Sequence, residues 1–241
     1  MAHHTELLPE PLPPDPLALL DQWMTEALQK RLQPNPNAMV LATVGPEGEP
    51  SARVVLCKGV VPQPGYVVFY TNYRSLKGRQ LAGHPRAAAV IHWDHLHRQI
   101  RLEGPVVQSP AGESDTYFAS RPWQSRLGAW ASEQSEPVAS RAQLKSAVEA
   151  AAKRFGTPVP ESEGACTGGD PPVPRPPHWG GYRLWIEKIE LWVEGAGRIH
   201  DRARWVRTLS PHPGPGGRRD ATEGSNVAFD TGPWAATRLQ P

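Results

Sequence analysis

The stretch AMVLATVGPEGEPSARVVLC, residues 38–57, decides the fold class. Its two apolar runs, residues 38–44 and 51–57, flank GPEGEP, a connection whose glycines and prolines favour a turn. Two apolar runs separated by such a turn predict a β-hairpin. Similar short runs follow along the chain: YVVFYT (66–71), AAAVIHW (87–93), RQIRLEGPVV (98–107) and YRLWIEKIELWVEG (182–195).

These runs predict about six strands with few long helices between them. Consecutive strands joined by short turns favour an antiparallel sheet, closed or partly closed into a barrel, with helices packed outside. The predicted class is therefore mainly β with flanking helices (α+β). A doubly wound α/β fold would require more alternation of strands and helices, and a glycine-rich phosphate loop that the sequence lacks.

Three helices are predicted from capping signals and periodicity. Asp15 and Pro16 form a start signal, and apolar residues then repeat at helical spacing: Leu17, Leu20, Met24 and Leu28. A second helix begins at Ser140 and stops at Gly156, with one apolar face: Leu144, Val148, Ala151 and Phe155. A third begins near residues 109–110 and ends or kinks close to Arg121, because Pro122 follows.

Proline and glycine clusters set the expected boundaries. We expect a flexible N-terminal arm over residues 1–14 and a single domain over residues 15–241. Loop insertions are expected at about residues 157–178, as a surface connection, and at about residues 208–230, as a mobile loop.

Charge and composition limit the function classes. The chain has 241 residues, and its 26 basic and 24 acidic side chains nearly cancel, so neither nucleic acid nor a membrane surface is an expected partner. No apolar run approaches the roughly 20 residues that span a bilayer, and the N-terminus lacks the pattern of a signal peptide. We expect a cytoplasmic protein. Cys57 and Cys166 belong to no metal-binding spacing, so reduced thiols and no metal site are expected.

Two stretches carry candidate anion sites. In RIHDR, Arg198, His200 and Arg202 alternate, so on a strand they share one face, where they bind an anion or are neutralised by nearby carboxylates. In TYFASRPWQSRLGAWASEQS (116–135), three polar residues follow at intervals of four around Pro122: Tyr117, Arg121 and Ser125. Such a cluster suits a phosphate, and the alternative is a helix corner in which Tyr117 is core and Arg121 caps carbonyls.

The order of the motifs resembles a known family. The successive segments are RVVLCK (53–58), VFYTN (68–72), SLKGRQL (75–81), RQIRLEG (98–104), YFASRPWQSRLGAWASEQS (117–135), IELW (189–192), RIHDR (198–202) and a terminal RLQP (238–241). Together they resemble the signatures of the pyridoxamine 5'-phosphate oxidase family. The resemblance covers most of residues 15–207 and the last few positions.

The resemblance implies an FMN-binding split β-barrel that forms a homodimer with FMN at the interface. It implies oxidation of pyridoxamine and pyridoxine 5'-phosphate to pyridoxal 5'-phosphate, by hydride transfer from substrate C4' to flavin N5, with O2 as acceptor giving H2O2. This reaction belongs to vitamin B6 biosynthesis or salvage. The flavin performs the redox step, and the protein contributes orientation and charge.

The same resemblance assigns residues to roles. The FMN contacts would be Arg53, Val54, Val55, Leu56, Cys57, Lys58, Tyr70, Thr71, Lys77, Gln99, Gln134, Ser135, Trp192 and Arg202. The substrate contacts would be Lys58, Tyr117, Arg121, Ser125, Arg198 and His200, of which Arg198 and His200 would be catalytic. Arg53 and Lys58 have opposite strand parity, which suits contacts to two different phosphates.

Two departures from the family pattern keep alternatives open. Leu76 stands where the family usually carries an arginine before its phosphate-binding lysine, and the N-terminal HTELLPEPLPP does not match the family's arginine-rich lid. One alternative is a related FMN split-barrel oxidase of phenazine-type biosynthesis. Another is a flavin-binding protein without oxidase activity. A nucleic-acid-binding module ranks last, because basic and acidic residues are interspersed.

Overall fold

Strands dominate the computed structural model, which describes residues 6–160, 171–213 and 227–241. The strands within these residues are β1 (Ala38–Val44), β2 (Pro50–Leu56), β3 (Gly59–Val61), β4 (Tyr66–Asn72), β5 (Arg86–Trp93), β6 (Arg98–Gln108), β7 (Trp179–Trp185), β8 (Lys188–Val193), β9 (Asp201–Val206), β10 (Leu209–Pro213), β11 (Val227–Thr231) and β12 (Ala235–Arg238). The α-helices of the same residues are α1 (Leu17–Lys30), α2 (Leu76–Gly83), α3 (Ala111–Ala119), α4 (Trp123–Ala131) and α5 (Arg141–Phe155).

One ten-stranded sheet contains all of these strands except β10 and β11, which pair as a separate hairpin. Its longest path runs β12-β9-β8-β6-β5-β1-β2. Each neighbouring pair along this path is antiparallel. The predicted mainly β fold with an antiparallel sheet is therefore confirmed.

The hairpin predicted from residues 38–57 forms as β1 and β2. Leu41 lies opposite Arg53, and the turn closes with the Gly45 amide donating to the Glu49 carbonyl at 2.9 Å. Alternate residues of β1 point into the core, because successive side chains on a strand face opposite sides. β2 ends the sheet path, and Val54 on its outer face is 66% exposed.

The run YRLWIEKIELWVEG forms two strands, β7 and β8, where the sequence predicts one. Gly104 on β6 explains the break between them. A Cβ at Gly104 would lie 1.9 Å from the Trp185 carbonyl oxygen. The absence of a side chain at Gly104 therefore lets the end of β7 approach β6 closely where the chain bends toward β8. The first half of β6 pairs with β8, and its last residues, Val106 to Gln108, pair with β7.

The capping signals place the helices correctly. The Asp15 carboxylate accepts the Leu17 amide at 2.8 Å where α1 begins. The Ser140 hydroxyl accepts the Gln143 amide at 3.1 Å at the start of α5, and Gly156 ends that helix with a left-handed φ of 62°.

The prediction that Leu28 belongs to the buried face of α1 is wrong. Leu28 is 46% exposed, whereas Trp23 and Ala27 are buried with Leu17 and Leu20. At 100° per residue the buried stripe is centred near Leu20 and Ala27, which places Leu28 at its edge.

The expected alternation of Arg198, His200 and Arg202 on one strand is also wrong. Residues 196–198 form a short 3-10 turn, and β9 begins only at Asp201. Gly197 and Arg198 both adopt positive φ, of 63° and 66°, which is incompatible with an extended strand. His200 therefore precedes β9, and only Arg202 lies within it.

Within the expected insertion at residues 208–230, the two ends pair as β10 and β11. Residues 214–226 of this insertion, and residues 161–170 of the other one, lie outside the described residues. The domain division into an arm, a single domain and two insertions stays a prediction.

The chain divides into two compact units. The first contains Met1–Phe69, Gln80–Gln108 and Tyr182–Pro241, and the second contains Tyr70–Arg79 and Ser109–Gly181. The core of the first unit lies on the inner face of the sheet and includes the fully buried Trp93 and Trp205.

The indole N–H groups of both tryptophans are satisfied by backbone carbonyls. Trp93 donates to Pro36 at 2.6 Å and Trp205 to Pro13 at 2.8 Å. The second bond holds part of the predicted N-terminal arm against the first unit, and the buried side chain of Leu8 adds to this attachment.

No helix in the described residues is long and apolar enough to cross a membrane.

The second unit contains a small hydrophobic cluster. Leu127 of α4 packs against Ala151 and Ala152 of α5, with the rings of Trp123 and Phe155 at its edge. Between α3 and α4 the helix breaks at Pro122, as predicted, so that Arg121 lies in the break.

Candidate functional site

Lys77 is the centre of a polar network in the second unit. Its side chain is only 7% exposed, and its ammonium donates to Thr71 Oγ1 at 2.9 Å, Ser75 Oγ at 3.1 Å and Gln134 Oε1 at 3.3 Å. The Thr71 hydroxyl also donates to Gln134 Oε1 at 3.3 Å. The structure thus brings together three of the predicted FMN contacts, Thr71, Lys77 and Gln134.

A tight turn before α2 places Lys77. The Asn72 side chain accepts the Arg74 amide at 2.7 Å, and the Ser75 hydroxyl donates to the Asn72 carbonyl at 2.7 Å. Gly78 then allows α2 to start close to this turn, because a Cβ there would lie 2.0 Å from the Tyr73 carbonyl oxygen. The sequence SLKG therefore buries the lysine amine among neutral oxygens that can share its hydrogen bonds with a phosphate.

A stack of aromatic rings adjoins the helix break of the same unit. The Tyr70 and Tyr117 rings lie 3.9 Å apart at an angle of 16°, and Trp179 stacks on Tyr70 at 5.5 Å. The Arg121 guanidinium lies over the Trp179 ring at 4.7 Å. A surface depression of about 480 Å³ adjoins the stack and is lined by Tyr70, Gly112, Glu113, Thr116, Tyr117 and Ser120.

Arg121 has an unsatisfied donor. Its Nη1 atom is buried and has no hydrogen-bond acceptor, and the side chain has no ion pair among the described residues. Burial lowers the pKa of Arg121, although Tyr117 partly offsets this by raising it and the positive charge of Arg126 adds a smaller lowering. A partly buried cation without an acceptor is costly, and an anionic ligand removes that cost.

Ser125, the third member of the predicted phosphate cluster, is exposed on the first turn of α4. Its amide donates to the Pro122 carbonyl at 2.9 Å. Ser135 is also exposed and adopts a left-handed φ of 76° directly after Gln134. Both hydroxyls are accessible to a ligand, and their assigned roles stay predictions.

Trp179 and the two glycines after it are residues that the motifs miss. A Cβ at Gly180 would lie 2.0 Å from the Tyr73 hydroxyl, and one at Gly181 would lie 2.9 Å from the Tyr70 ring. The triplet WGG therefore permits the aromatic stack to form. A glycine pair directly after a tryptophan, at the end of a proline-rich segment, is the only sequence signal for it.

In the first unit, Arg53 is held entirely by neutral oxygens. Its guanidinium donates to Thr43 Oγ1 at 2.5 Å, Ser51 Oγ at 2.6 Å and Gln80 Oε1 at 3.2 Å, and to two backbone carbonyls. Among the described residues it pairs with no carboxylate. Burial lowers the pKa of Arg53, which is the expected effect on a cation whose charge no nearby anion offsets.

The rest of the RVVLCK segment differs in exposure. Val54 is exposed on the face opposite Arg53, Val55 and Leu56 are half-buried, and Cys57 is buried. Lys58 follows the end of β2 with an exposed side chain, and its amide donates to the Val68 carbonyl at 2.7 Å. The predicted opposite parity of Arg53 and Lys58 does not apply, because β2 ends at Leu56 and Lys58 lies beyond it.

Three other predicted residues form one row across the sheet. Gln99 on β6 lies opposite Trp192 on β8, and Trp192 lies opposite Arg202 on β9. The imidazole of His200 packs on Trp192 with ring centroids 4.7 Å apart. The structure therefore brings these four side chains to one region of the first unit.

The charge of Arg202 is neutralised, as one of the two sequence readings expected. Its guanidinium donates to Glu190 Oε1 at 2.7 and 3.1 Å, and Glu190 is buried. Arg198 differs, because its exposed side chain has no hydrogen bond or ion pair within the described ranges. Arg198 is therefore available to a ligand, whereas the guanidinium of Arg202 is bound to Glu190.

Burial raises the pKa of the Cys57 thiol to about 11. The neutral thiol therefore contributes to stability at neutral pH, and this contribution is lost as the pH rises toward 11. Because the thiolate is the reactive form, we expect iodoacetamide at pH 8 to alkylate Cys57 about 100-fold more slowly in the folded protein than in urea. The measurement uses Cys166→Ser, which leaves Cys57 as the one thiol, and equal rates in both states would contradict the buried position.

Two family models match this chain. Residues 24–155 match the family described as pyridoxamine 5'-phosphate oxidase. Residues 179–241 match the pyridoxine 5'-phosphate oxidase C-terminal dimerisation region.

Two relatives and two solved structures illustrate the similarity. The chain is 50% identical to the pyridoxine/pyridoxamine 5'-phosphate oxidase of Burkholderia orbicola MC0-3 over 201 residues, which is 83% of this chain and 86% of the relative. It is 48% identical to the protein of that name from Paraburkholderia xenovorans LB400, over 80% of this chain and 83% of the relative.

Among solved structures, PhzG from Burkholderia lata 383, in complex with tetrahydrophenazine-1-carboxylic acid, superposes with a TM-score of 0.72 at 27% identity, covering 95% and 94% of the two chains. A pyridoxamine 5'-phosphate oxidase-related, FMN-binding protein from Nostoc punctiforme PCC 73102 has a TM-score of 0.61 at 15% identity, with 94% and 97% of the chains covered. The second likeness shows a shared fold.

Proposed function

Because the chain belongs to the pyridoxamine 5'-phosphate oxidase family of FMN-binding split-barrel oxidoreductases, with FMN as cofactor, we propose that it oxidises pyridoxamine and pyridoxine 5'-phosphate to pyridoxal 5'-phosphate. The observation that carries this proposal is the Arg121 guanidinium, which lies over the Trp179 ring and has a buried donor without an acceptor. A substrate phosphate would supply that acceptor. O2 would be the electron acceptor and H2O2 a product with both substrates. With pyridoxamine 5'-phosphate, water would also hydrolyse the resulting imine and release ammonia.

The fit of FMN to this chain rests on its cationic and hydroxyl donors. Lys77, with Thr71 and Gln134, offers one set of phosphate ligands, and Arg53 offers another. When bound, FMN would accept the hydride that leaves the substrate C4' carbon and would pass the electrons on to O2. Gln99, Trp192 and Arg202 would contact the flavin from the row on the first unit.

The substrate would be held by its phosphate and by its ring. Tyr117 and Ser125 provide hydroxyl donors on either side of Arg121, and Lys58 provides a second cation. Arg198 and His200 would position the substrate near the carbon that is oxidised and stabilise charge during the transfer. No carboxylate is assigned to the set, in keeping with a reaction in which the cofactor accepts the hydride.

We also propose a homodimer with FMN at the subunit interface. The match to the dimerisation region supports it. A second support is the outer face of the β1–β2 hairpin, where Val40 and Val54 form a cross-strand pair and Val44 lies on the same face. All three are exposed in the single chain, and a partner would cover them.

Anaerobic titration tests the function. The protein is purified with FMN, pyridoxine or pyridoxamine 5'-phosphate is added without air, and the flavin absorbance is followed. Bleaching that recovers on admitting air supports the oxidase, and an unchanged spectrum with both substrates contradicts it. An unchanged spectrum with FMN still bound would indicate a flavin-binding protein without this activity.

A second candidate is the oxidation of a phenazine precursor. It is favoured by the likeness to PhzG, whose ligand carries a carboxylate and no phosphate. The identity of 27% to PhzG, against 50% to the Burkholderia orbicola oxidase, ranks it second. The same titration with tetrahydrophenazine-1-carboxylic acid separates the two, because the proposed enzyme would bleach only with the phosphorylated substrates.

Leu76 departs from the family pattern, and a single substitution can restore the usual arginine. It is 43% exposed at the first position of α2, directly before the buried Lys77. We expect Leu76→Arg to lower the dissociation constant of FMN about fivefold, because an exposed charge-assisted hydrogen bond to a phosphate contributes about 1 kcal/mol. Fluorescence titration of the apoprotein with FMN measures the change. Leu76→Gln, which lacks the charge, is the control, and an unchanged constant for Leu76→Arg would show that other residues already compensate.

A further inference from the structure

The loop that joins β8 to β9 holds the His200 imidazole through a backbone group. The amide N–H of Gly195 donates to His200 Nδ1 at 3.2 Å. Within the loop the Ile199 amide donates to the Ala196 carbonyl at 3.1 Å, and Gly197 and Arg198 both adopt positive φ. The loop therefore folds back on itself so that His200 lies against its first residues.

Gly195 is required for this arrangement. A Cβ at this position would lie 1.7 Å from the Ile199 carbonyl oxygen and 3.2 Å from the His200 Cα. No side chain larger than hydrogen fits without moving the residue before His200. Two properties of Gly195 thus position His200: the absence of a Cβ and the hydrogen bond that its N–H donates.

The start of the loop is also fixed to the sheet. The Glu194 amide donates to the His97 carbonyl at 2.9 Å, and the Glu194 carboxylate contacts His97 Nδ1 at 2.5 Å. On the other side of the imidazole, the Trp192 ring packs on His200 with centroids 4.7 Å apart. These contacts hold both the backbone that donates to His200 and the ring that receives the bond.

The direction of the Gly195 hydrogen bond determines which nitrogen of His200 carries a proton. A backbone N–H can only donate, so Nδ1 must present its lone pair and carry no hydrogen. In the neutral imidazole the hydrogen then lies on Nε2, which becomes a donor. A hydrogen bond to one ring nitrogen is the usual way in which a protein selects a histidine tautomer.

We propose that Gly195 is a positioning residue that fixes His200 as an Nε2–H donor toward an oxygen of the substrate. This rests on the proposed function for the identity of the acceptor, and on the loop geometry alone for the tautomer. His200 then acts by donating a hydrogen bond to its ligand, and it does not take a proton from the substrate through Nε2. The acceptor is an anionic or hydroxyl oxygen, which both proposed substrates carry.

Nitrogen NMR of the FMN-bound protein labelled with 15N-histidine tests the tautomer directly. The His200 signals are assigned by their loss in His200→Gln, and we expect Nδ1 to be unprotonated and Nε2 protonated. Finding Nδ1 protonated and Nε2 unprotonated would overturn the proposal. This readout requires no turnover, so it stands or falls independently of the proposed oxidase activity.

Gly195→Ala tests the positioning role. We expect the His200 signals to shift toward a mixture of tautomers, whereas Gly83→Ala, where a Cβ meets open space, leaves them unchanged. Unchanged His200 signals in a folded Gly195→Ala variant would contradict the role. If that variant does not fold, the signals of the unsubstituted protein still decide the tautomer.

Two substitutions of His200 separate its two nitrogens. The amide N–H of glutamine can reach the position of Nε2–H, whereas the asparagine amide reaches only the position of Nδ1. We expect His200→Asn to weaken binding of pyridoxal 5'-phosphate about tenfold more than His200→Gln does, as for loss of a hydrogen bond to a charged group. Equal affinities in the two variants would contradict a donor at Nε2, whether or not the protein oxidises either substrate.

Discussion

Replacing Arg198 by alanine is expected to slow reduction of the bound flavin by pyridoxine 5'-phosphate by about 100-fold or more, with FMN affinity changed less than about twofold. The Arg198 side chain is exposed and makes no hydrogen bond or ion pair within the described ranges, so its loss removes no contact that holds the fold. Its positive φ of 66° indicates a backbone conformation maintained at a cost, as is found at functional sites. The rate is measured by anaerobic stopped-flow absorbance, and FMN affinity by fluorescence.

Two further variants make the Arg198 result interpretable. Arg204→Ala removes an exposed arginine from the neighbouring strand β9, and we expect it to leave the rate unchanged. Arg198→Asn keeps a residue that tolerates a left-handed backbone, so a similar rate loss in this variant excludes a backbone effect. Equal losses of rate and FMN affinity in Arg198→Ala would show that Arg198 contacts the cofactor instead of the substrate.

The second large effect is expected at Arg121. Methionine at this position keeps apolar contact with the Trp179 ring and removes the charge. We expect kcat/KM for pyridoxine 5'-phosphate to fall about 100-fold, because charge-assisted hydrogen bonds contribute about 1.5–3 kcal/mol each. The loss should appear mainly in KM, since the phosphate is bound equally before and during the reaction.

The comparison that isolates the phosphate uses pyridoxine without it. For this poor substrate Arg121→Met should change kcat/KM less than about threefold, because the guanidinium then has no anion to bind. Arg154→Met is the matched control, since Arg154 also lies over a tryptophan ring, that of Trp130 at 4.4 Å, in the same unit. A similar loss for both substrates, or in Arg154→Met, would contradict a phosphate contact at Arg121.

Local signals in the sequence predict most of the secondary structure. The hairpin at residues 38–57, the break at Pro122 and the two caps of α5 depend on residues within a few positions of each other. Turn and capping preferences act over that range, so the sequence is sufficient there. The undivided strand predicted for residues 182–195 is wrong because a distant residue intervenes, Gly104 at the bend between β7 and β8.

For the candidate site too, the sequence predicts some features and only the folded chain shows others. The motifs identify the chemical types, a lysine, several arginines and a histidine, and the comparisons show the family and its cofactor. The motifs do not include Trp179, which is 58 positions from Arg121 in the sequence. In the folded chain the Arg121 guanidinium lies over the Trp179 ring. Nor do the motifs distinguish Arg198, which has no partner in the described residues, from Arg202, which Glu190 neutralises.

From its residues alone, this chain is predicted to be an antiparallel, mainly β protein whose candidate phosphate-binding side chains follow a recognisable order. Strand alternation, turns and caps are local properties, and motif order survives without knowledge of the packing. The folded chain decides which of those side chains is buried without an acceptor, which is neutralised, and which nitrogen of His200 can donate. Burial and hydrogen bonding join residues that are far apart in the sequence, so only the tertiary structure determines the charge and proton that each one offers.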